Sequence, residues 1–199
     1  MSYATLAEFK ASIGIQDNTD DQALQAVLDA TDELIDNFCD LPTGFDVSAS
    51  QVRYYTAVDP FYINTDDIVT VTTLQTDENG DGTYETTWTV NTDYILAPRN
   101  AALDARPYTE IDTAIQVTKT FPLTYLAVKV TGTFGFPAVP SAVKQAALIQ
   151  AGAVWSSRTA PFGVIGSQDL GGILRLSRAL HPEAQVLLEP YRRRLGLAY

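Results

Sequence analysis

"IVTVTTLQTDENGDGTYETTWTV" (residues 68–90) decides the fold, because its middle looks like a calcium loop while its flanks do not. Asp77, Asn79, Asp81 and Gly82 fill the first, third, fifth and sixth positions of the EF-hand pattern. That pattern closes with a bidentate Glu at the twelfth position, where this chain has Trp88. Glu85, at the ninth, could still donate an oxygen, so spacing alone leaves a weak site open. The flanks weigh against it. An EF-hand loop joins two helices, whereas residues 68–76 and 84–90 are dense in Val, Ile, Thr, Tyr and Trp, which suit a pleated surface. Tyr84, Thr86, Trp88 and Val90 alternate with period two, and Asn-Gly and Asp-Gly supply the positive-φ residues that hairpin turns use. The stretch predicts a β-hairpin whose tip holds Asp77, Asn79, Gly80, Asp81 and Gly82, with no metal.

Outward from the hairpin, the β texture runs from about residue 50 to 135. The expected strands are 52–58, 61–63, 68–76, 84–90, 93–97, 114–119 and 125–134, with 98–110 as a long surface loop. Short strands separated by turns suggest a small sandwich or barrel-like module.

Helical patterns lie on both sides. Thr5 and Glu8 form a capping-box pattern ahead of "FKASI", and Thr19 with Gln22 repeats it before a helix over about 20–39. In that helix Leu24, Val27, Leu28, Thr31, Leu34, Ile35 and Phe38 recur at the spacing of one buried stripe. The opposite face carries Asp29, Asp32, Glu33 and Asp36, with no Lys or Arg on the helix to pair with them. Such a face is either simply solvated or a surface that must repel something anionic. Residues 135–158 read as an Ala-rich helix entered at Pro140 and Ser141, and 159–172 as a Gly-rich loop without a nucleotide-binding pattern. Pro182 sits where a last helix would start, and Pro190 is expected to end it, so that "YRRRLGLAY" leaves the bundle as an arm.

Composition narrows the function classes. The 199 residues, 46% hydrophobic and 19% charged, fit one globular domain or a domain with a large insertion. No apolar run is long enough for a membrane helix, and the N-terminus lacks a secretory pattern. Cys39 is the single cysteine, which excludes an internal disulfide, fits a reducing compartment and reads as core. Residues 1–100 hold 18 Asp/Glu against 3 Lys/Arg, and residues 101–199 hold 6 against 10. An acidic body argues against sequence-specific nucleic-acid binding, and the basic end hints at an interaction tail.

Candidate chemistry is thin. With only His181 and Cys39, a multi-histidine metal site is impossible and a zinc site has too few ligands. No G-x-S-x-G elbow occurs, and His181, beside Pro182, reads as a helix cap or surface residue. The aromatics Tyr54, Tyr55, Phe61, Tyr62, Trp88 and Tyr94 could line a sugar-binding face, though such residues are more often sheet core. No catalytic, cofactor or metal site is expected, and the chain does not read as an enzyme. The competing readings are a carbohydrate- or receptor-binding accessory domain and a monomeric carboxylate hydrolase.

The order of elements adds a resemblance. "YATLAEFKASIGI" with the helix after it, "DENGDGTYETTW" leading to "DYILAPRNAA", "VKVTGTFGFPAVPSAVKQAALIQAGAVW", "RTAPFGVIG" and "LLEPYRRR" together resemble the head–tail connector (adaptor) family of tailed phages and phage-like particles. The resemblance implies an α+β fold: a small helical bundle built from the N- and C-terminal segments with an inserted antiparallel β module. The corresponding divisions are 1–45 and 137–189 for the helical core, 46–136 for the β insertion and 190–199 for a C-terminal docking arm. It implies a homo-oligomeric ring, typically dodecameric, seated in the virion neck below the portal and assembled in the host cytoplasm. Such a ring binds the portal protein and a stopper or tail-completion protein, lets DNA pass through its lumen without sequence-specific binding, and needs no cofactor and no membrane. Asp29, Asp32, Glu33 and Asp36 then become candidates for a lumen-facing acidic face. The β insertion becomes an outward-facing or neighbour-contacting module. Tyr191, Arg192, Arg193, Arg194, Leu195, Leu197 and Tyr199 become candidates for docking to the portal or a neighbouring subunit.

Overall fold

The computed structural model describes residues 2–41, 44–114, 119–158, 164–166, 173–175 and 180–193. The chain divides into two units, a helical one from residues 1–42 and 139–199 and a β unit from residues 43–138.

In the helical unit, α1 (Leu6–Ile13) starts where the sequence places it. The Glu8 amide donates to the Thr5 hydroxyl at 3.2 Å and the Thr5 amide to the Glu8 carboxylate at 3.0 Å, so the capping box is complete. Gly14, at φ 74°, closes the helix in the left-handed region. Helix α2 (Asp21–Cys39) buries Leu24, Leu28, Thr31, Ile35 and Cys39, the expected stripe. The second capping box does not form. Asp20 is the N-cap without a side-chain bond, and the Thr19 amide is taken by Asp17 at 2.9 Å, since a short Asx turn competes with the cap. Helix α3 (Ser141–Ser157) buries Val143, Ala146, Ala147, Gln150 and Ala151, and it contacts α1, α2 and the short α4 (Pro182–Leu188). Small side chains let these helices approach closely around a core of Ala4, Phe9, Leu24, Leu28 and Ala151. His181 caps α4, its Nδ1 accepting from the Glu183 amide at 3.3 Å with Pro182 in the first turn. The buried Gln150 is satisfied by the His181 amide at 2.7 Å.

The β unit contains β1 (Gln51–Tyr55), β2 (Tyr62–Thr76), β3 (Thr86–Trp88), β4 (Tyr94–Ala97), β5 (Tyr108–Thr113) and β6 (Val128–Phe134). They form one six-stranded sheet in the order β1-β6-β2-β5-β4, with β3 also on β2, and every pair is antiparallel. Where a small sandwich or barrel-like module was expected, the strands form a single sheet whose path ends at β1 and β4. The two expected strands 61–63 and 68–76 are one fifteen-residue strand. Its polar middle, "NTDD", is absorbed as a register shift between Asn64 and Ile68 instead of a turn. Arg53 and the Tyr55 hydroxyl both bond the Asp66 carboxylate, which supplies partners for a charge inside the strand. Strand β5 starts at Tyr108, inside the stretch 98–110 read as a loop, and runs on to Thr113. Of the expected strand 114–119, Ala114 and Lys119 are not strand, and 115–118 fall outside the described residues.

One face of the sheet packs Ile63, Ile68, Leu74, Trp88, Tyr94, Ile111, Val128, Val130 and Phe134 with Ala57 and Phe121. Trp88 anchors it. Its ring stacks on Phe121 with centroids 4.5 Å apart, and its indole N–H donates to the buried Thr76 hydroxyl at 2.9 Å. Gly132 is required by crowding, because a Cβ there would lie 2.0 Å from the Thr70 carbonyl oxygen. A short hairpin, β7 (Val164–Gly166) with β8 (Ile173–Arg175), completes the described strands.

Candidate assembly surfaces

The hairpin tip is organised by its own carboxylates. Asp77 is 4% exposed, and its two oxygens accept from the Gly80 and Gly82 amides, each at 2.7 Å. Asn79 accepts from the Asp81 amide at 3.0 Å, and Asp81 from the Thr83 amide at 2.7 Å, which holds the Asp81 carboxyl below its ordinary range. Gly80 and Gly82 take φ of 76° and 86°, as the turn chemistry demands. The oxygens that an EF-hand would aim at calcium are here aimed at backbone donors, a stack of Asx turns. Among the described residues no group of three or more His, Cys, Asp and Glu is arranged to hold a metal.

The acidic face of α2 divides in two. Asp29 and Glu33 are exposed. Asp32 and Asp36 are half-buried under the N-terminal segment: the Tyr3 amide donates to Asp32 at 3.3 Å, and the Tyr3 hydroxyl donates to Asp36. Burial pushes the Asp32 carboxyl up to about 6, against the Ser2 side chain and Tyr3 amide, with Asp36 and Asp29 adding like-charge repulsion. In the same unit, Lys144 pairs with Glu8. That ion pair, with the Thr5 amide, holds the Glu8 carboxyl down at about 2.

The C-terminal segment does not leave the bundle at Pro190. Residues Glu189–Tyr191 form a 3-10 turn that accepts Pro190 in its first positions, where no backbone N–H is needed. The chain then reaches the C-terminus of α2, where the Arg193 amide donates to the Cys39 carbonyl at 2.8 Å. The Arg192 guanidinium lies 5.4 Å from the Phe38 ring centroid. Helix α2 has no basic residue in its last turn, so Arg192 brings the positive charge that the helix end favours. Cys39 is buried there, its thiol pushed up to about 12 by burial and the Asp36 charge. The sequence held a signal for this contact: an acid-only helix end needs a cation from elsewhere, and the chain is rich in arginine only near its end. Arg194, Leu195, Leu197 and Tyr199 lie outside the described residues.

The aromatics of the β unit do not form one face. Trp88 and Tyr94 are core, Tyr55 is turned to Asp66, and Tyr54, Phe61 and Tyr62 are exposed. Tyr54 packs against Tyr84 with centroids 5.6 Å apart, and the Tyr84 hydroxyl donates to the Leu126 carbonyl at 2.7 Å.

Comparison with known proteins follows the same lines. Residues 3–79 match the family model described as "Phage gp6-like head-tail connector protein". No curated protein matches the chain. Two solved chains share its fold over 98% of its length and 92% of theirs. One is from "Neck of empty GTA particle computed with C6 symmetry", at 18% identity and a TM-score of 0.55. The other is from "Virion of native gene transfer agent (GTA) particle", at 21% identity and a TM-score of 0.54. At such identities the likeness is one of fold. The head–tail connector family that the sequence resembles is thus the one whose model matches residues 3–79, and the chain shares its fold with chains of those particles.

Proposed function

We propose that the chain is a structural head–tail connector subunit that forms a ring in the neck of a phage or phage-like particle, between the portal and a stopper or tail-completion protein. The observation that carries this is the connector signature in residues 3–79 on a fold similar over nearly the whole chain to one from a particle neck. The described residues add no arrangement of metal ligands, and the polar groups at the hairpin tip are spent on the turn itself. In this reading the role is mechanical, as the connector resemblance implies. The ring is dodecameric, as the resemblance implies.

In this reading α2 faces the lumen. Asp29 and Glu33 supply the exposed negative charge that keeps the phosphate backbone from adhering, so the duplex slides. Asp32 and Asp36 have a second task, holding the N-terminal segment through Tyr3. Negative-stain imaging of the purified protein tests the proposal: rings with a central hole support it, and a strictly monomeric species at every concentration overturns it.

A further inference from the structure

We infer that the C-terminal segment Arg194–Tyr199 of one subunit adds as a strand to the free edge of β1 in a second copy. The inference rests on the ring reading above and names the surface that the arm engages.

The acceptor is an edge strand. Among the described residues β1 has β6 on one side and no strand on the other. Its pairing with β6 runs unbroken from Gln51 to Tyr55, with no bulge to twist the edge away and no proline. Natural sheets guard such an edge, and this one carries only Arg53, already held by Asp66. Val52 and Tyr54, two residues apart and so on one face, are 46% and 48% exposed. The opposite edge, β4, is shorter and runs into Pro98, which cannot donate to a ladder.

The donor fits by pattern and length. Leu195, Leu197 and Tyr199 alternate with Arg194, Gly196 and Ala198, the period of a strand with one apolar face. The segment contains no proline, and it starts from a fixed point, since the Arg193 amide is held by Cys39. Six residues extended reach about 20 Å, enough to run alongside the five residues of β1. Backbone pairing gives such an added strand its affinity, and the apolar face laid beside Val52 and Tyr54 gives it register. Residues 43–138 hold 12 Asp/Glu against 5 Lys/Arg, a favourable setting for Arg194. Donor and acceptor are different surfaces of the same chain, so the contact is head-to-tail, the kind that closes into rings.

The test uses full-length Val52→Cys and Tyr199→Cys variants, whose side chains the proposal puts on one face, mixed in equal amounts and treated with a short bismaleimide. The buried Cys39 stays in place, with wild type as the control. The expected result is a cross-linked dimer in the mixture, absent from wild type and from either variant alone. The yield should fall at least tenfold when Val52→Cys is mixed with a chain that carries Tyr199→Cys and Leu195→Ser, Leu197→Ser. Rings that form without this cross-link overturn the inference and leave the ring reading intact. A cross-link whose yield is unchanged by Leu195→Ser, Leu197→Ser also overturns it. A protein that never oligomerises overturns both.

Discussion

The Arg193 amide donates to the Cys39 carbonyl at 2.8 Å, so the C-terminal segment closes the end of α2. Helix ends leave their last carbonyls without partners, and this bond, with Arg192 over Phe38, supplies one of them and a cation. Two truncations should therefore behave differently. Ending the chain after Glu189 loses a hydrogen bond and a cation–π contact, together about 1–2 kcal/mol, and should lower the melting temperature by about 2–8 °C. Ending it after Arg193 keeps both contacts and should leave the melting temperature of the monomer unchanged. Equal melting curves for the two would mean that the Arg193–Cys39 contact contributes nothing to stability.

Asp32 holds its proton more tightly in the folded chain than in the unfolded one, because burial raises its carboxyl from 3.8 to about 6. The folded state therefore loses stability as pH rises from about 4 through 6. Asp32→Asn removes that loss and can still accept from the Tyr3 amide. Discounted for partial exposure, the gain should be about 1–2 kcal/mol at pH 7.5 and should vanish below about pH 4. Denaturant titrations at the two pH values check it. A loss of stability at neutral pH would mean that the charge of Asp32 is needed by the Ser2–Tyr3 contact.

Glu8 shows the opposite sign. Lys144 and the Thr5 amide hold its carboxyl at about 2, so its contribution is complete above 4.5 and is lost as pH falls from there toward 2. Thr5→Ala should cost about 1 kcal/mol at pH 7 through the lost cap of α1. Glu8→Gln should remove the acid-side dependence. The slope of stability against pH between 4.5 and 2.5, compared with wild type, reads it out.

The hairpin tip makes a further prediction. With both Asp77 oxygens on the Gly80 and Gly82 amides, calorimetry at micromolar calcium should show no stoichiometric heat. Asp77→Ala should cost about 1–3 kcal/mol by stranding those amides. A micromolar calcium site lost in Asp77→Ala would make the loop a metal site after all.

Most of the helical unit was legible because its signals are local. Thr5 with Glu8, the 24–28–31–35 stripe, and Pro182 with His181 each act within one or two turns. The hairpin was legible for the same reason: Gly80 and Gly82 must occupy positive-φ positions. What the sequence hid was decided by distant partners. Asp66 looked like part of a turn until Arg53 and Tyr55 came across to hold it inside β2. "YTE" (108–110) looked like the end of a loop because nothing local marks a strand there, yet Tyr108–Thr113 pairs with β2 and β4. The acidic face was visible as four residues, but nothing local showed that Tyr3 would occupy Asp32 and Asp36.

The proposed role meets its most direct test in sedimentation with portal-bearing, tail-less capsids. The purified chain should pellet with them at about twelve copies per capsid and should not pellet with portal-less shells, with neck rings visible by electron microscopy at the portal vertex. A chain that remains in the supernatant, or binds both shells alike, would contradict the connector reading.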